Sequence, residues 1–391
     1  VEPDCNIPGG ESYARHALYS QRYFKEKFGK TVKVGFNADS FGHNGMLPQF
    51  LKKSGMDYYI FMRPMPNEKG LPSRLFKWES NDGSQVMAFR IPYEYNTWGE
   101  DVEKYVKRCS KELKDPINEL MFFYGVGNHG GGPTKENIDS IQKLNNDQND
   151  LPELIFNTPE KYFKKMEQEE LSLPVVHDDL QHHASGCYSA HSGIKKWNRK
   201  AENTLMKAEK FSVLAAKTAG QDYPDGFTRA WKNVLFNQFH DIMAGTSLKS
   251  AYEDARNLHG EAMSIAERNL NYAVQSLSWN INIEERKGMK PIVVFNPHSW
   301  KSQVNVEIEA GKVSEDSRLI NDKGEEIPMQ LVKSEATSWG RKRLSFTTDL
   351  PAYGYRVYKL LAEASSDGNE SRGVKATDYS LENDKYRLEI D

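Results

Sequence analysis

The sequence predicts a multidomain chain that runs from an α/β region through a helical region into antiparallel β-structure. Three observations carry this. From about Val32 to Met166, short apolar runs alternate with amphipathic stretches, the pattern of a mostly parallel sheet covered by helices. Residues 193–219, 227–239 and 251–277 then read as three long helices with short connections, which implies an antiparallel bundle. From Lys290 the runs shorten and alternate (VVFN, QVNVEIEA, LSFTTDL, YRVYKLL) between Gly, Pro and Asn, as in an antiparallel β domain. A length of 391 residues agrees, being too great for one simple core. The expected boundaries are 1–172, 173–285 and 286–391.

Composition narrows the class. A hydrophobic fraction of 38% and a charged fraction of 27% are those of a globular chain. The formal charge of −3 gives no electrostatic ground for nucleic acid or an anionic membrane as partner. No run of about 18 apolar residues occurs, so no bilayer-spanning helix is expected. Cys5, Cys109 and Cys187 are odd in number, widely spaced and outside any CxxC pattern. That suits a reducing compartment and argues against a thiolate zinc site. A cytoplasmic location is the expectation, and the start at Val1 leaves a leader upstream open.

The elements follow in order. Residues 2–10 (EPDCNIPGG) are a loop, broken by two prolines and a glycine pair, ahead of a helix over 12–28 with Tyr13, Ala17, Tyr23, Phe24 and Phe28 as its apolar positions. Val32, Val34 and Phe36 read as a short buried strand. It ends at a loop carrying Asp39, Ser40, Phe41, Gly42 and His43, before a helix over about 47–54. Residues 58–62 form a second strand, which runs into Arg63-Pro64. Residues 73–91 read as a hairpin turning on Asn81-Asp82-Gly83. A charged helix over 101–113 leads to a fully buried strand at 120–124 (LMFFY) and then to GVGNHGGGPT, residues 125–134. The glycines there permit close backbone approach to a ligand. The absence of GK[ST], with Pro133 at the start of the next helix, speaks against a phosphate loop. A short strand at 154–156 and a helix over 159–167 complete the region. Residues 362–373 are polar and small, a linker or surface loop, and YRLEI near the end reads as a further strand.

Polar chemistry gathers at strand ends. An acid, an aromatic and an imidazole lie within residues 39–43, where ligands bind in α/β folds, although Asp before a glycine loop also serves as a plain turn former. Histidines cluster twice: His182, His183 and His191 before the long helix, and His240 beside Asp241 where Gly245 and Thr246 break the second helix. The latter pair suits a metal ligand or a sugar hydroxyl, and equally a cationic imidazole at a helix C-terminus. No HExxH, CxxC or HxH is present. A metal site would therefore be assembled from distant segments.

Residues 37–43 (NADSFGH), Leu47-Pro48-Gln49, Glu2-Pro3-Asp4, residues 125–133 and residues 237–246 together resemble the α-mannosidases of glycoside hydrolase family 38, in particular the bacterial branch with mannosylglycerate hydrolases. The resemblance implies a seven-stranded α/β barrel-like domain, a three-helix bundle and the start of a β-sandwich region. It also implies retaining hydrolysis of α-mannosides with one Zn2+ per site, a mannose-containing carbohydrate as partner, and room for a homodimer. It casts Asp39 as nucleophile and zinc ligand, His240 as zinc ligand, Phe41 as an aromatic near the sugar, Arg63 as a basic residue near the nucleophile, and Asp241 as a holder of sugar hydroxyls.

Two departures qualify it. The family's other zinc ligands come from a His-x-Asp element upstream of the Glu-Pro-Asp segment, which implies that this chain alone binds zinc weakly and turns nothing over. Many members carry Asp in the glycine loop, where this chain has Asn128 and His129. Asn cannot transfer a proton, so the acid/base role falls to His129 or to a carboxylate such as Asp178 or Asp179, with Asn128 left as a substrate contact. Three further readings stay open. Hydrolysis of 2-O-mannosylglycerate or its phosphorylated form needs a cationic pocket, for which Arg63, Lys195 and Lys196 are candidates. A zinc deacetylase needs a His-x-x-x-His pair that is absent. The third is a sugar-binding protein without catalysis.

Overall fold

A computed structural model of the chain describes residues 2–97, 102–127, 131–147, 150–309, 311, 313, 316–334, 342–362 and 375–390. They fall into two compact units, Val1–Ala216 with Asp222–Ala273 and Lys217–Gln221 with Val274–Asp391.

The first unit contains α1 (Gly10–Phe28), β1 (Val34–Asn37), α2 (Leu47–Lys53), β2 (Tyr58–Phe61), β3 (Leu75–Glu79), β4 (Gln85–Arg90), α3 (Val102–Ser110), α4 (Lys135–Asn146), α5 (Pro159–Gln168) and β5 (Val175–Val176). The long α6 (Ser192–Thr218), α7 (Phe227–Asn237), the short α8 (His240–Met243) and α9 (Lys249–Trp279) follow, the first and last running on toward the second unit. The strands form one sheet in the order β1-β2-β4-β3-β5. β1, β2 and β4 run parallel, and the β3–β4 hairpin supplies the antiparallel pair. In register, Asn37 lies opposite Phe61 and Phe61 opposite Arg90, so three strands end side by side at one edge.

Period-two alternation in β2 buries both sheet faces. Tyr59 and Phe61 join Phe76, Trp78 and Ala88 under α1 and α2, while Tyr58 and Ile60 join Leu75 and Phe89 under Tyr162, Phe163 and Met166 of α5. The α5 helix starts where sequence chemistry places it: the Thr158 hydroxyl accepts from the Lys161 N–H, and Pro159 takes the first turn. Helices α6, α7 and α9 share a core of small and large residues, including Ala201, Leu205, Ala208, Trp231, Val234 and Ala266. Helix α1 joins that core from outside. The Arg15 guanidinium lies 4.1 Å over the Trp231 ring and pairs with Glu209 of α6 at 2.6 Å.

Several expectations need correction. Among the described residues no closed seven-stranded barrel forms; the sheet has five strands with β1 and β5 at its edges. Residues 120–124 and 154–156 lie in no ladder, and neither run is fully buried, with Ile155 at 64% exposure. Phe123 touches Phe36 across the β1 edge with ring centroids 5.9 Å apart. The space beside them is a cavity of about 490 Å³ lined by both segments together with α3 and α4. In β1 the buried positions are Gly35 and Asn37, and Phe36 is 40% exposed, the reverse of the alternation expected from Val32, Val34 and Phe36. The reason is local. A Cβ on residue 35 would stand 2.7 Å from Leu51, so only glycine lets α2 close onto that face.

In the described part of the glycine loop, the close approach seen is between stretches of its own backbone. Gly125 has φ +116, and a Cβ there would meet the Gly132 carbonyl carbon at 2.8 Å, while the Val126 N–H donates to the Gly132 carbonyl at 2.9 Å. Its glycines let the loop close on its own backbone. Asn128 and His129 lie outside the described residues.

The second unit is antiparallel. It comprises β6 (Met289–Phe295), β7 (Ser302–Glu309), β8 (Arg318–Ile320), β9 (Glu326–Ile327), β10 (Met329–Lys333), β11 (Lys342–Leu350), β12 (Tyr355–Leu361), β13 (Lys375–Ala376), β14 (Ser380–Glu382) and β15 (Arg387–Glu389). Sheets β10-β11-β7 and β6-β12-β8-β9 turn inner faces onto one core around Leu344, Phe346, Tyr358 and Leu360, and β13-β14-β15 make a third sheet. No helix among the described residues is long and apolar enough to cross a membrane.

Trp231 is fully buried at the junction of α1, α6, α7 and α9. Trp231→Ala is expected to lower stability by about 3–5 kcal/mol, read from the shift of the guanidinium unfolding midpoint.

Candidate active site

Because β1, β2 and β4 end in register, the residues just beyond them converge. Asp39 follows β1, Arg63 follows β2 and Tyr95 follows β4. The Arg63 guanidinium makes an ion pair with Asp39 Oδ1, and its Nη1 also donates to the Asp39 carbonyl at 3.3 Å. Tyr95 donates its hydroxyl to Asp39 Oδ2 at 3.1 Å. Partial burial pushes the Arg63 pKa down, a tendency opposed by the acidic character of Tyr95, Glu68 and Asp241 around it. Arg63 Nε is buried with no protein partner and stands as a spare donor.

Arg63 is itself held by a buried relay. Asn37 Nδ2 donates to the Tyr59 hydroxyl at 3.1 Å, Tyr59 donates to His43 Nδ1 at 2.8 Å, and His43 Nε2–H donates to the Arg63 carbonyl at 2.8 Å. Tyr59 and His43 are both fully buried, and burial pushes the His43 pKa down to about 4. His43 is thus a neutral framework group rather than a titrating one near neutral pH. Gly42, at φ +130, lets the loop turn back between them, since a Cβ there would collide with the Gln181 amide.

His240 meets Asp39 from the helical part of the same unit. Its Nε2 lies 3.8 Å from Asp39 Oδ2 and 3.9 Å from Asp241 Oδ1. The backbone holds it there. Pro3 and Phe239 form an antiparallel bridge, and the Glu2 carbonyl accepts from both the His240 N–H at 3.2 Å and Nδ1 at 2.9 Å. With Nδ1–H so engaged, Nε2 is the nitrogen that faces Asp39. Helix α7 ends at Asn237, so His240 opens the new helix α8 and does not close the old one. The C-terminal imidazole reading therefore fails. The Phe41 ring stands edge-on to His240 at 5.7 Å between centroids, with the Arg63 guanidinium at 5.8 Å and the His183 ring at 5.8 Å.

The two donors suit zinc. A neutral imidazole nitrogen and a carboxylate oxygen 3.8 Å apart can share an ion whose bonds are about 2.0–2.2 Å long. They are a partial set, since among the described residues no group of three or more His, Cys, Asp or Glu side chains assembles for a metal.

The sequence matches the glycosyl hydrolases family 38 N-terminal domain over residues 1–186 and the α-mannosidase middle domain over residues 182–277. The chain belongs to glycoside hydrolase family 38. It is 32% identical over 266 residues to α-mannosidase G of Dictyostelium discoideum, covering 67% of this chain and 24% of that protein. To α-mannosidase 2C1 of Mus musculus it is 31% identical over 307 residues, covering 77% of this chain and 29% of that protein. The fold resembles that of an α-mannosidase from Enterococcus faecalis, with a TM-score of 0.73 at 20% identity over 97% of this chain and 50% of that one. The chain thus spans about a quarter of the length of these sequence relatives and half of the structural one.

Within this family frame, Asp39, Phe41, Arg63, His240 and Asp241 come together. Other candidates have other employment. Lys195 Nζ donates to the Ala190 and Met243 carbonyls at 2.6 and 2.9 Å, and His191 stacks on Tyr252. Asp178 pairs with Lys69 at 2.6 Å, which pushes its pKa down and holds it ionised, the wrong state for a proton donor. Tyr95 and the Glu2 carbonyl are contacts that sequence reasoning missed. A tyrosine five residues past a parallel strand was the signal for the first, whereas a backbone carbonyl gives none.

The partly buried His16 and the fully buried His43 both have pKa values pushed down by burial to about 4 from 6.5. Between those values the unfolded chain binds protons that the folded chain refuses, so stability is full above about pH 6.5 and is lost on acidification toward 4. Denaturant unfolding at pH 7 and pH 5 is expected to differ by on the order of 1–2 kcal/mol for each histidine, and His43→Gln is expected to flatten the dependence.

Proposed function

We propose that this chain carries the nucleophile side of the active site of a retaining α-mannosidase acting on terminal α-linked mannose. The observation that carries the reading is one carboxylate, Asp39, at a strand end, shared by Arg63, Tyr95 and His240.

The chemistry follows from these contacts. Asp39 attacks the anomeric carbon; a carboxylate–carbon bond forms as the glycosidic C–O bond breaks, and the leaving oxygen takes a proton from the general acid. Water then gives a proton to that same group, now a base, and attacks the carbon from the face opposite Asp39; the carbon–Asp39 bond breaks and the α configuration is restored. Arg63 favours the ionised carboxylate before attack, and the Tyr95 hydroxyl steadies Oδ2. Phe41 supplies an apolar wall for a sugar face, and the half-exposed Asp241 carboxylate accepts from sugar hydroxyls. Asp39 and His240 are the residues that would hold Zn2+, which when bound supplies positive charge to orient vicinal hydroxyls and favour ring distortion. The acid is assigned to the loop containing Asn128 and His129, where His129 has the required chemistry.

Mannosylglycerate would need a cation for its carboxylate; of the three considered, Arg63 faces Asp39 and Lys195 is engaged by two carbonyls, so that second reading rests on the exposed Lys196.

Two measurements test this reading. In the full-length protein, Asp39→Asn is expected to reduce kcat/KM on an α-mannoside by at least about 1,000-fold, because the nucleophile is lost; full retention of activity would overturn the assignment. For residues 1–391 alone, the two donors found among the described residues fall short of the three that a zinc site needs. Dialysis is expected to strip the metal and leave no turnover, and a stoichiometric, tightly held zinc would contradict the partial shell.

A further inference from the structure

Two residues before His240, the side chain of Gln238 sits in a polar network with no contact to the site itself. Gln238 is fully buried. Its Oε1 faces His16 Nε2 at 2.9 Å, and its Nε2 lies 3.0 Å from Ser12 Oγ, 2.9 Å from Asn198 Oδ1 and 3.0 Å from Glu202 Oε1. Glu202 is the hub. Its carboxylate, 2% exposed, also accepts from the Gly9 N–H at 2.9 Å, the Ser12 hydroxyl at 2.6 Å and Arg199 Nη1 at 2.7 Å. Arg199 in turn donates to the Ile7 carbonyl at 2.7 Å.

A carboxylate buried to this degree is a costly way to join helices. Its desolvation offsets most of what its partners return, and apolar residues of like size commonly serve stability as well or better. What it supplies that apolar packing lacks is direction. Every partner belongs to one of three pieces: the segment of residues 2–12, α6, or the turn that leads into α8. The first and third are those whose pairing aims His240. The Asp4 N–H donates to the Gln238 carbonyl at 2.8 Å, Pro3 bridges Phe239, and the Glu2 carbonyl accepts from the main-chain N–H and Nδ1 of His240. With the Gln238 side chain clamped, the register of that pairing cannot slip.

We propose that Gln238 and Glu202 are positioning residues for His240: the buried Glu202–Gln238 clamp fixes the short pairing between residues 2–4 and 238–240, and through it the direction of His240 Nε2. This rests on the zinc-ligand reading of His240 above.

The test uses the full-length protein, loaded with zinc for affinity by chelator competition and with cobalt(II) for its visible absorption, which reports ligand geometry. Glu202→Gln keeps the volume and one acceptor, Gln238→Met keeps the volume alone, and Ser12→Ala is the mild variant should either of these fail to fold. Asn233→Ala, which breaks an exposed hydrogen bond from helix α7, the helix that leads to Gln238, to Glu261 of α9, serves as control. Folded clamp variants are expected to bind zinc about 10- to 100-fold more weakly and to change the cobalt spectrum, the range for partners that orient a metal-bound histidine; the control is expected to change neither. Folded clamp variants with zinc affinity within about twofold of wild type and an unaltered spectrum would overturn the positioning role while leaving the zinc reading intact. A wild-type protein that takes up no metal would overturn both.

Discussion

One backbone carbonyl governs the geometry of this site. Glu2 accepts from the main-chain N–H and from Nδ1 of His240, across a separation of 238 residues. Without that bond, nothing among the described contacts would set which imidazole nitrogen faces Asp39. With it, the ring orientation follows: Nδ1 is taken up by the Glu2 carbonyl, and Nε2 faces a carboxylate oxygen at 3.8 Å. The rest of the first unit serves to bring two distant stretches to that meeting. The sheet delivers Asp39, and the helices deliver His240.

The delivery from the sheet depends on ordinary packing. β2 is buried at all four positions and sits between β1 and β4, so three carboxyl ends are in register and rigidly backed. The functional loops can then be irregular, because the Asn37–Tyr59–His43 relay reaches from the strands to the Arg63 carbonyl and steadies the guanidinium from behind. In this arrangement the buried His43 is structural and the partly exposed His183 borders Phe41 while holding Glu68. Proximity in sequence to the active carboxylate is thus a poor guide to role.

Much of this was legible in the residues. Strand-end acids, the Asn81-Asp82-Gly83 hairpin, the long helical periods and the short alternating runs all have local physical causes, and each corresponds to an element of the structure within a few residues. What stayed hidden was not local. The LMFFY run has the composition of a buried strand, but a strand also needs a partner, and residues 120–124 lie beside β1 without a ladder. Phe36 reads as core by type, yet the close approach of Leu51 to Gly35 turns the other face inward. Tyr95 and Gln238 act through contacts to residues at least 36 positions away, which spacing alone does not reveal.

The account's central claim is that Asp39 forms a bond to the sugar. Mass spectrometry of the full-length protein after reaction with a slow α-mannosyl substrate that accumulates its covalent intermediate tests this most directly. The account expects one hexose-derived adduct on the peptide that contains Asp39, absent from Asp39→Asn. An adduct on another carboxylate, with the Asp39 peptide unmodified while turnover proceeds, would contradict it.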